Sequence, residues 1–381
     1  MAEKKPAILT EENRKLVREG RKESMSHKKT EYMQSGNLGF DLALTDGKGI
    51  PIGSSILLWS NPGIGKSTLL SDICLRLLKQ TENSETPFDI LYIDTEGGAE
   101  QVINSMGLGE YIDSGRFLYI RQPLITWDLV SVYYECIFRN LEGYGNVKVV
   151  IIDSVTNVMS SANIEKTGSD GDFGSKAKER YFFYMKYLLQ AKERNITSFF
   201  VSQARNNKDA GMFGDPDKAA VAKGDLHAVD IIMRCSQVKS KGDIKVTSKD
   251  TNFGSSVKTS ERYILKMDSQ SGSGKNRYWT GLPAETVLVK GKMCENTYTL
   301  RNILLGAGYI KQSGAWYSID ENICKALGIE SSKKQITALN QLIKDNASTF
   351  FNILKESDDF HVVPKNAVET EVSADELEDE E

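Results

Sequence analysis

The stretch Ser60-Asn61-Pro62-Gly63-Ile64-Gly65-Lys66-Ser67-Thr68 follows the apolar run Ser55-Ile56-Leu57-Leu58-Trp59 and precedes a helical pattern from Leu69 to Leu78. A strand, a glycine-bearing loop and a helix in that order leave few folds open. The loop's amides can all point inward, glycine accepts the dihedrals this requires, and a helix N-terminus attracts anions. Such a loop wraps a triphosphate. Lys66 then reaches the terminal phosphates, and the Ser67 hydroxyl sits on a magnesium ion. The one departure from the usual pattern is Ser60, where the first glycine normally stands. A chance Gly-Lys-Ser is common in proteins; one placed between a strand and a helix is not.

Three more apolar runs have the length of buried parallel strands, and each ends in polar residues. Phe88–Ile93 leads into Asp94-Thr95-Glu96, Val147–Ile152 into Asp153-Ser154, and Thr197–Ser202 into Gln203. Near-continuous β-branched and aromatic runs between helical segments indicate strands covered on both faces. In open parallel sheets, ligands sit beyond the carboxyl ends of the strands, so these ends are expected to converge. Asp153 is then the carboxylate of the magnesium shell, Glu96 the base that orients the attacking water, and Gln203 a contact that reports the γ-phosphate. The alternative for each residue alone is an ordinary turn or cap.

The chain has 381 residues, 40% hydrophobic and 26% charged, enough for one large α/β core with smaller lobes. No apolar run approaches the roughly 20 residues of a membrane helix. The start, Met1-Ala2-Glu3-Lys4-Lys5, lacks a signal-peptide pattern. The five cysteines are scattered without a Cys-x-x-Cys pair, which argues against a zinc ribbon or disulfide framework and suits a reducing cytosol. Net charge is −4, yet residues 369–381 carry eight acids and no base, so residues 1–368 are at +4. That tail either aids solubility or competes with DNA phosphates for a basic surface. Residues 10–30 read as a charged helix with a small stripe at Leu16 and Val17, either an arm for a neighbouring subunit or a solvated extension. After residue 290 the pattern changes to a small helical lobe, with a hairpin around Gly308-Tyr309-Ile310 and Ala315-Trp316-Tyr317-Ser318.

Beyond the phosphate loop, the sequence resembles the RecA family of strand-exchange recombinases, over roughly residues 30–320. Ser35-Gly36-Asn37-Leu38-Gly39-Phe40-Asp41, with Gly49-Ile50-Pro51-Ile52-Gly53, is similar to the family's approach to its first core strand. Glu96 followed by Met106-Gly107-Leu108 matches its catalytic-carboxylate region. Gln203-Ala204-Arg205 and Met212-Phe213-Gly214-Asp215-Pro216 resemble its nucleotide-sensing strand and second DNA-binding loop, and Gly314-Ala315-Trp316-Tyr317-Ser318 its C-terminal signature. Ile103 occupies the place where bacterial members set an aromatic ring against adenine. The strand Tyr263–Asp268 matches the region that caps ATP from a neighbouring subunit, with Lys266 fitting a bacterial cap and Asp268 an archaeal or eukaryotic one. This mixture reads as a divergent, bacteriophage-type member.

The resemblance implies an α/β fold: a RecA-type P-loop ATPase core with a mostly parallel central sheet flanked by helices. It implies a polymerisation arm at residues 1–32, the core at 33–290, a small lobe at 291–360 and an acidic tail at 361–381. Two segments are expected to hold DNA. One runs from about Met159 to Lys178 with Lys166, Lys176 and Lys178; the other runs from about Asn206 to Gly224, with Arg205 just before it and Lys208, Met212, Phe213, Lys218 and Lys223 within it. Lysines and amides follow phosphates without reading bases, and Met212 and Phe213 can wedge between them. Taken without the resemblance, both are surface loops whose lysines solvate them. The implied cofactors are ATP and Mg²⁺. The implied partners are single-stranded DNA, homologous duplex DNA, further copies in a helical filament, and single-strand-binding and mediator proteins, with no membrane and a cytoplasmic, DNA-associated location. The alternatives are a ring-forming helicase or branch-migration motor of the same fold, and a filament or mediator protein that does not hydrolyse nucleotide.

Overall fold

The computed structural model describes residues 15, 30–164, 173–207, 215–238, 262–269, 283–289, 292–329 and 333–356. The chain divides into a short unit, Met1–Glu31, and a large one, Tyr32–Glu381. In the short unit Lys15 is helical and exposed. The rest of the expected arm (Thr30, Glu31 and Tyr32 apart), the acidic tail, and Lys166, Lys208, Met212 and Phe213 lie outside the described residues.

The large unit opens with β1 (Tyr32–Met33), α1 (Leu38–Thr45) and β2 (Ile50–Pro51), the two strands pairing antiparallel. The core follows as β3 (Ser55–Ser60), α2 (Lys66–Thr81), β4 (Asp89–Asp94), α3 (Glu100–Met106), α4 (Gly109–Asp113), β5 (Phe117–Arg121), α5 (Trp127–Phe138) and β6 (Val147–Asp153). It continues with α6 (Phe173–Glu193), β7 (Thr197–Asn206), β8 (Asp217–Ala219), α7 (Lys223–Ala228), β9 (Ile231–Gln237), β10 (Arg262–Ser269) and β11 (Ala284–Val289). The C-terminal part comprises α8 (Asn296–Gly306), β12 (Ile310–Ser313), β13 (Trp316–Ile319), α9 (Glu321–Ala326), β14 (Lys333–Lys334), α10 (Ile336–Asp345) and α11 (Ala347–Glu356).

Among the described residues, nine strands form the central sheet, in the order β11-β10-β9-β3-β7-β6-β4-β5 with β8 against β7. The strands from β9 to β5 in that order are parallel; β10, β11 and β8 pair antiparallel with their neighbours. The sheet is therefore mostly parallel and flanked by helices. Its strands read as unbroken apolar runs because both faces are covered. In β3, Ile56 and Leu58 join one core with Leu69, Leu70 and Ile73 of α2. Leu57 and Trp59 point the other way, into a core shared with Trp127 and Tyr134 of α5 and Tyr184 of α6. That is the period-two alternation of a strand, with each fully buried side chain contributing roughly 1.5–3 kcal/mol.

The motif around Asn37 is a structural bracket. The Asn37 side chain caps α1 by accepting from Phe40 N at 3.0 Å, and its amide donates to Asp72 of α2 at 3.2 Å. Gly39 is required because a Cβ there would stand 2.6 Å from the Glu285 carbonyl oxygen. Toward the C-terminus, β12 and β13 form an antiparallel hairpin that β14 extends. Ile310, Tyr317, Leu339, Ile343, Phe350 and Leu354 belong to the same continuous core as α1 and α2. No helix among the described residues is long and apolar enough to cross a membrane.

Candidate functional site

The phosphate-type loop leaves β3 at Ser60 and enters α2 at Lys66. Gly65 occupies the N-cap position at φ +97, with no side chain bonding the first amides of the helix. A helix N-terminus without a side-chain cap favours an anion. Only glycine fits here: besides the left-handed φ, an added Cβ would meet the Tyr263 hydroxyl at 2.2 Å. Lys66 is 9% exposed and its ammonium is held by Ser60 Oγ at 2.8 Å, with the Ser60 and Asn61 carbonyls at 3.3 Å. The serine that replaces the first glycine thus supplies an acceptor to the lysine. Burial lowers the Lys66 pKa, while the nearby Asp153 charge pulls it back up. Ile64 packs partly against the core, Asn61, Pro62 and Gly63 are exposed, and Thr68 is half-buried in the first turn of α2.

The other strand ends meet this loop. Ser67 Oγ donates to Asp153 Oδ2 at 2.6 Å, and the buried Tyr92 hydroxyl donates to the same oxygen at 2.7 Å. Burial raises the Asp153 pKa, and these two hydrogen bonds hold it down. Glu96 Oε1 accepts from the Ser154 hydroxyl and, at 2.8 Å, from Gln203 Nε2. Gln203 is aligned with Ser60 across the β3–β7 pair. One cluster therefore contains Ser60, Lys66, Ser67, Glu96, Asp153 and Gln203.

Four residues around the cluster were given no role from the sequence: Asp94 and Ser154, seen there only as polar strand ends, and Tyr92 and Arg234. Asp94 shapes the turn that carries Glu96: Oδ1 accepts from Glu96 N at 3.0 Å and Gly97 N at 2.7 Å, and Oδ2 from Ala99 N at 3.1 Å and the Tyr119 hydroxyl at 2.7 Å. Ser154 holds the Glu96 carboxylate and Tyr92 the Asp153 carboxylate. Arg234 lies at the edge of the same surface, its guanidinium 5.0 Å over the Trp59 ring. Tyr92 had no signal beyond strand alternation, whereas Asp94 stood in the open as a strand-end acid.

Several expected residues stand elsewhere than their spacing suggested. Ile103 is only 1% exposed, because α3 turns its apolar face into the core against α2. It is part of the packing, not of a ligand-facing surface. Gln203 is not a strand end: β7 runs on to Asn206 because Ala204, Arg205 and Asn206 pair with β8. Lys176 and Lys178 belong to α6, which begins at Phe173, so the first loop is shorter than 159–178. The Lys176 ammonium is bonded to the Thr156 carbonyl, and Lys178 is exposed 6.0 Å over the Phe182 ring. Arg205 donates to the Val221 carbonyl at 3.0 Å, Lys218 is in β8, and Lys223 is the exposed first residue of α7. Lys266 is half-buried in β10 opposite Glu285, whose carboxyl burial raises and the Lys266 charge lowers. Asp268 is exposed and aligned with Arg234.

Among the described residues, no group of three or more His, Cys, Asp or Glu side chains is arranged around a metal position. The Ser67 hydroxyl and the Asp153 carboxylate, one hydrogen bond apart, nevertheless form an all-oxygen pair. A hard cation that keeps most of its water suits such a pair.

Residues 13–261 match the model of the RecA N-terminal domain. The chain is 26% identical over 316 residues to Protein RecA of Streptococcus gordonii, covering 82% of this chain and 73% of that protein. Protein RecA of Streptococcus sanguinis and of Streptococcus pneumoniae Hungary19A-6 are similar at the same 26%, with 74% and 72% of their lengths covered. The family model spans well over half of the sequence, including the phosphate loop, Glu96, Asp153 and Gln203. The chain belongs to the RecA family.

Proposed function

We propose that this protein is a recombinase that assembles as a helical filament on single-stranded DNA, hydrolyses ATP in response to that DNA, and exchanges strands with a homologous duplex. The observation that carries the reading is the meeting of the phosphate loop, Glu96 and Gln203 on one sheet edge, with Gln203 in the strand that leads to residues 208–214. The phosphate loop and Lys66 hold the triphosphate. Ser67 and Asp153 hold magnesium, which when bound neutralises charge on the phosphate oxygens. Glu96, fixed by Ser154 and Gln203, orients the attacking water and accepts its proton. Gln203 contacts Glu96 and stands beside the loop, so it senses the γ-phosphate and passes that state along β7. Lys178, Arg205, Asn206, Lys218 and Lys223 face DNA phosphates, with Lys166, Lys208, Met212 and Phe213 in the adjoining segments. Lys266 or Asp268 of a neighbouring copy closes the ATP site.

Two outcomes check these assignments. Lys66→Ala is expected to weaken ATP binding by about tenfold to a hundredfold, the equivalent of losing one charged hydrogen bond, measured by calorimetry. Unaltered affinity would show that the loop does not hold the phosphates. Gln203→Ala is expected to retain ATP but to bind single-stranded DNA with similar affinity in ATP and in ADP. A variant with the wild-type contrast between the two nucleotides would remove Gln203 from the signal path.

A further inference from the structure

A second set of contacts leads from the phosphate loop to β8. The exposed Asn61 side-chain amide donates to Asp217 Oδ2 at 3.0 Å. Asp217 also faces Arg234, with a guanidinium nitrogen 3.7 Å from Oδ2. The same guanidinium is bonded to Asp215, and it lies 5.0 Å over Trp59, the residue before Ser60. Trp59 is 2% exposed and aligned with Arg234 across the β3–β9 pair, so the arginine is anchored in the rigid sheet. Asp217 is in turn aligned with Asn206 at the end of β7.

Asp215 and Asp217 are out of place as anion-binding groups, since carboxylates beside a triphosphate loop repel its ligand. Their use is positional. Arg234 offsets their charge, and Asp217 offers a fixed acceptor to a loop side chain whose backbone helps shape the phosphate cradle. A shift of Asn61 on phosphate binding is transmitted to Asp217, and added negative charge in the loop repels the Asp217 carboxylate, pressing it toward Arg234. Both effects act on β8, which is hydrogen-bonded to the outer end of the Gln203 strand.

We propose that the Asn61–Asp217–Arg234 set is a second coupling between the nucleotide loop and the paired strands β7 and β8, with Asp217 as its positioning residue. It rests on the reading that ATP occupancy governs DNA affinity, and it adds a route that does not pass through Gln203. The signal then reaches both strands of the pair, one from Gln203 and the other from Asp217.

The test measures single-stranded DNA affinity by fluorescence anisotropy, at saturating ADP and at saturating non-hydrolysable ATP analogue, and takes the ratio of the two Kd values. Asn61→Ala and Asp217→Ala are each expected to reduce that ratio at least threefold. The double variant is expected to lose no more than Asp217→Ala alone, because Asn61 acts only through its bond to Asp217. Asp217→Asn keeps an acceptor for Asn61 but not the charge that faces Arg234, so it is expected to retain the part of the ratio that passes through Asn61 and to lose less than Asp217→Ala. Asp217→Ala combined with Gln203→Ala is expected to lose more than either single change. The proposal fails if both single variants keep the wild-type ratio, or if the Asn61 and Asp217 effects simply add. A wild-type protein with the same DNA affinity in both nucleotides would overturn the proposal together with the reading beneath it, whereas a large wild-type ratio unchanged in the variants overturns the proposal alone.

Discussion

Glu96→Gln is expected to slow ATP turnover by roughly 10²–10⁴-fold while ATP and single-stranded DNA remain bound, the range that loss of a positioned general base produces. The substitution preserves shape, and the Asp94 turn that carries residue 96 is built from backbone amides it does not disturb. A glutamine carbonyl can still accept from Ser154 or Gln203. What it cannot do is take a proton from water. Filaments that persist with unhydrolysed ATP would follow, and phosphate release measures the rate directly. Turnover at the wild-type rate would assign the base to another carboxylate.

The second large effect concerns stability. Arg180 of α6 and Asp225 of α7 form an ion pair with the two side chains only 5% and 1% exposed. Arg180 Nε donates to Asp225 Oδ2 at 2.9 Å, and the same oxygen accepts from Ala222 N at 2.7 Å, which caps α7. Arg180→Ala is expected to cost about 3–5 kcal/mol, because it leaves Asp225 charged and buried without its cation. Urea denaturation reads this as a lower midpoint at unchanged slope. Arg180→Met combined with Asp225→Leu is expected to recover part of the loss, since no buried charge then remains; the Ala222 cap stays broken. A single-variant loss below 1 kcal/mol would mean that the pair contributes little. The pair joins the helix that follows the first candidate DNA segment to the helix that follows the second, so its position matters beyond stability.

The strands and the phosphate loop were legible because burial on both faces writes a continuous apolar run, and because a triphosphate loop admits few sequences. Strand-end acids were legible for the same topological reason: a parallel sheet carries all its carboxyl ends to one edge. The failures have a common physical origin in pairing that is remote in sequence. The apolar run stops at Ser202, and only antiparallel pairing with β8 carries the strand on to Asn206. Glycines and lysines up to residue 178 masked a helix that starts at Phe173, where Ser160 and Ser161 both bond to Glu179. Ile103 follows the family's spacing, but its apolar side chain faces the core. Asn61 and Asp217 stand 156 positions apart, and no local pattern announces their contact.

ATP hydrolysis measured with and without single-stranded DNA, with the same samples imaged by negative stain, tests the central claim most directly. Turnover is expected to be at least several-fold faster with DNA, on helical filaments. Turnover indifferent to DNA, or closed rings in place of filaments, would contradict it.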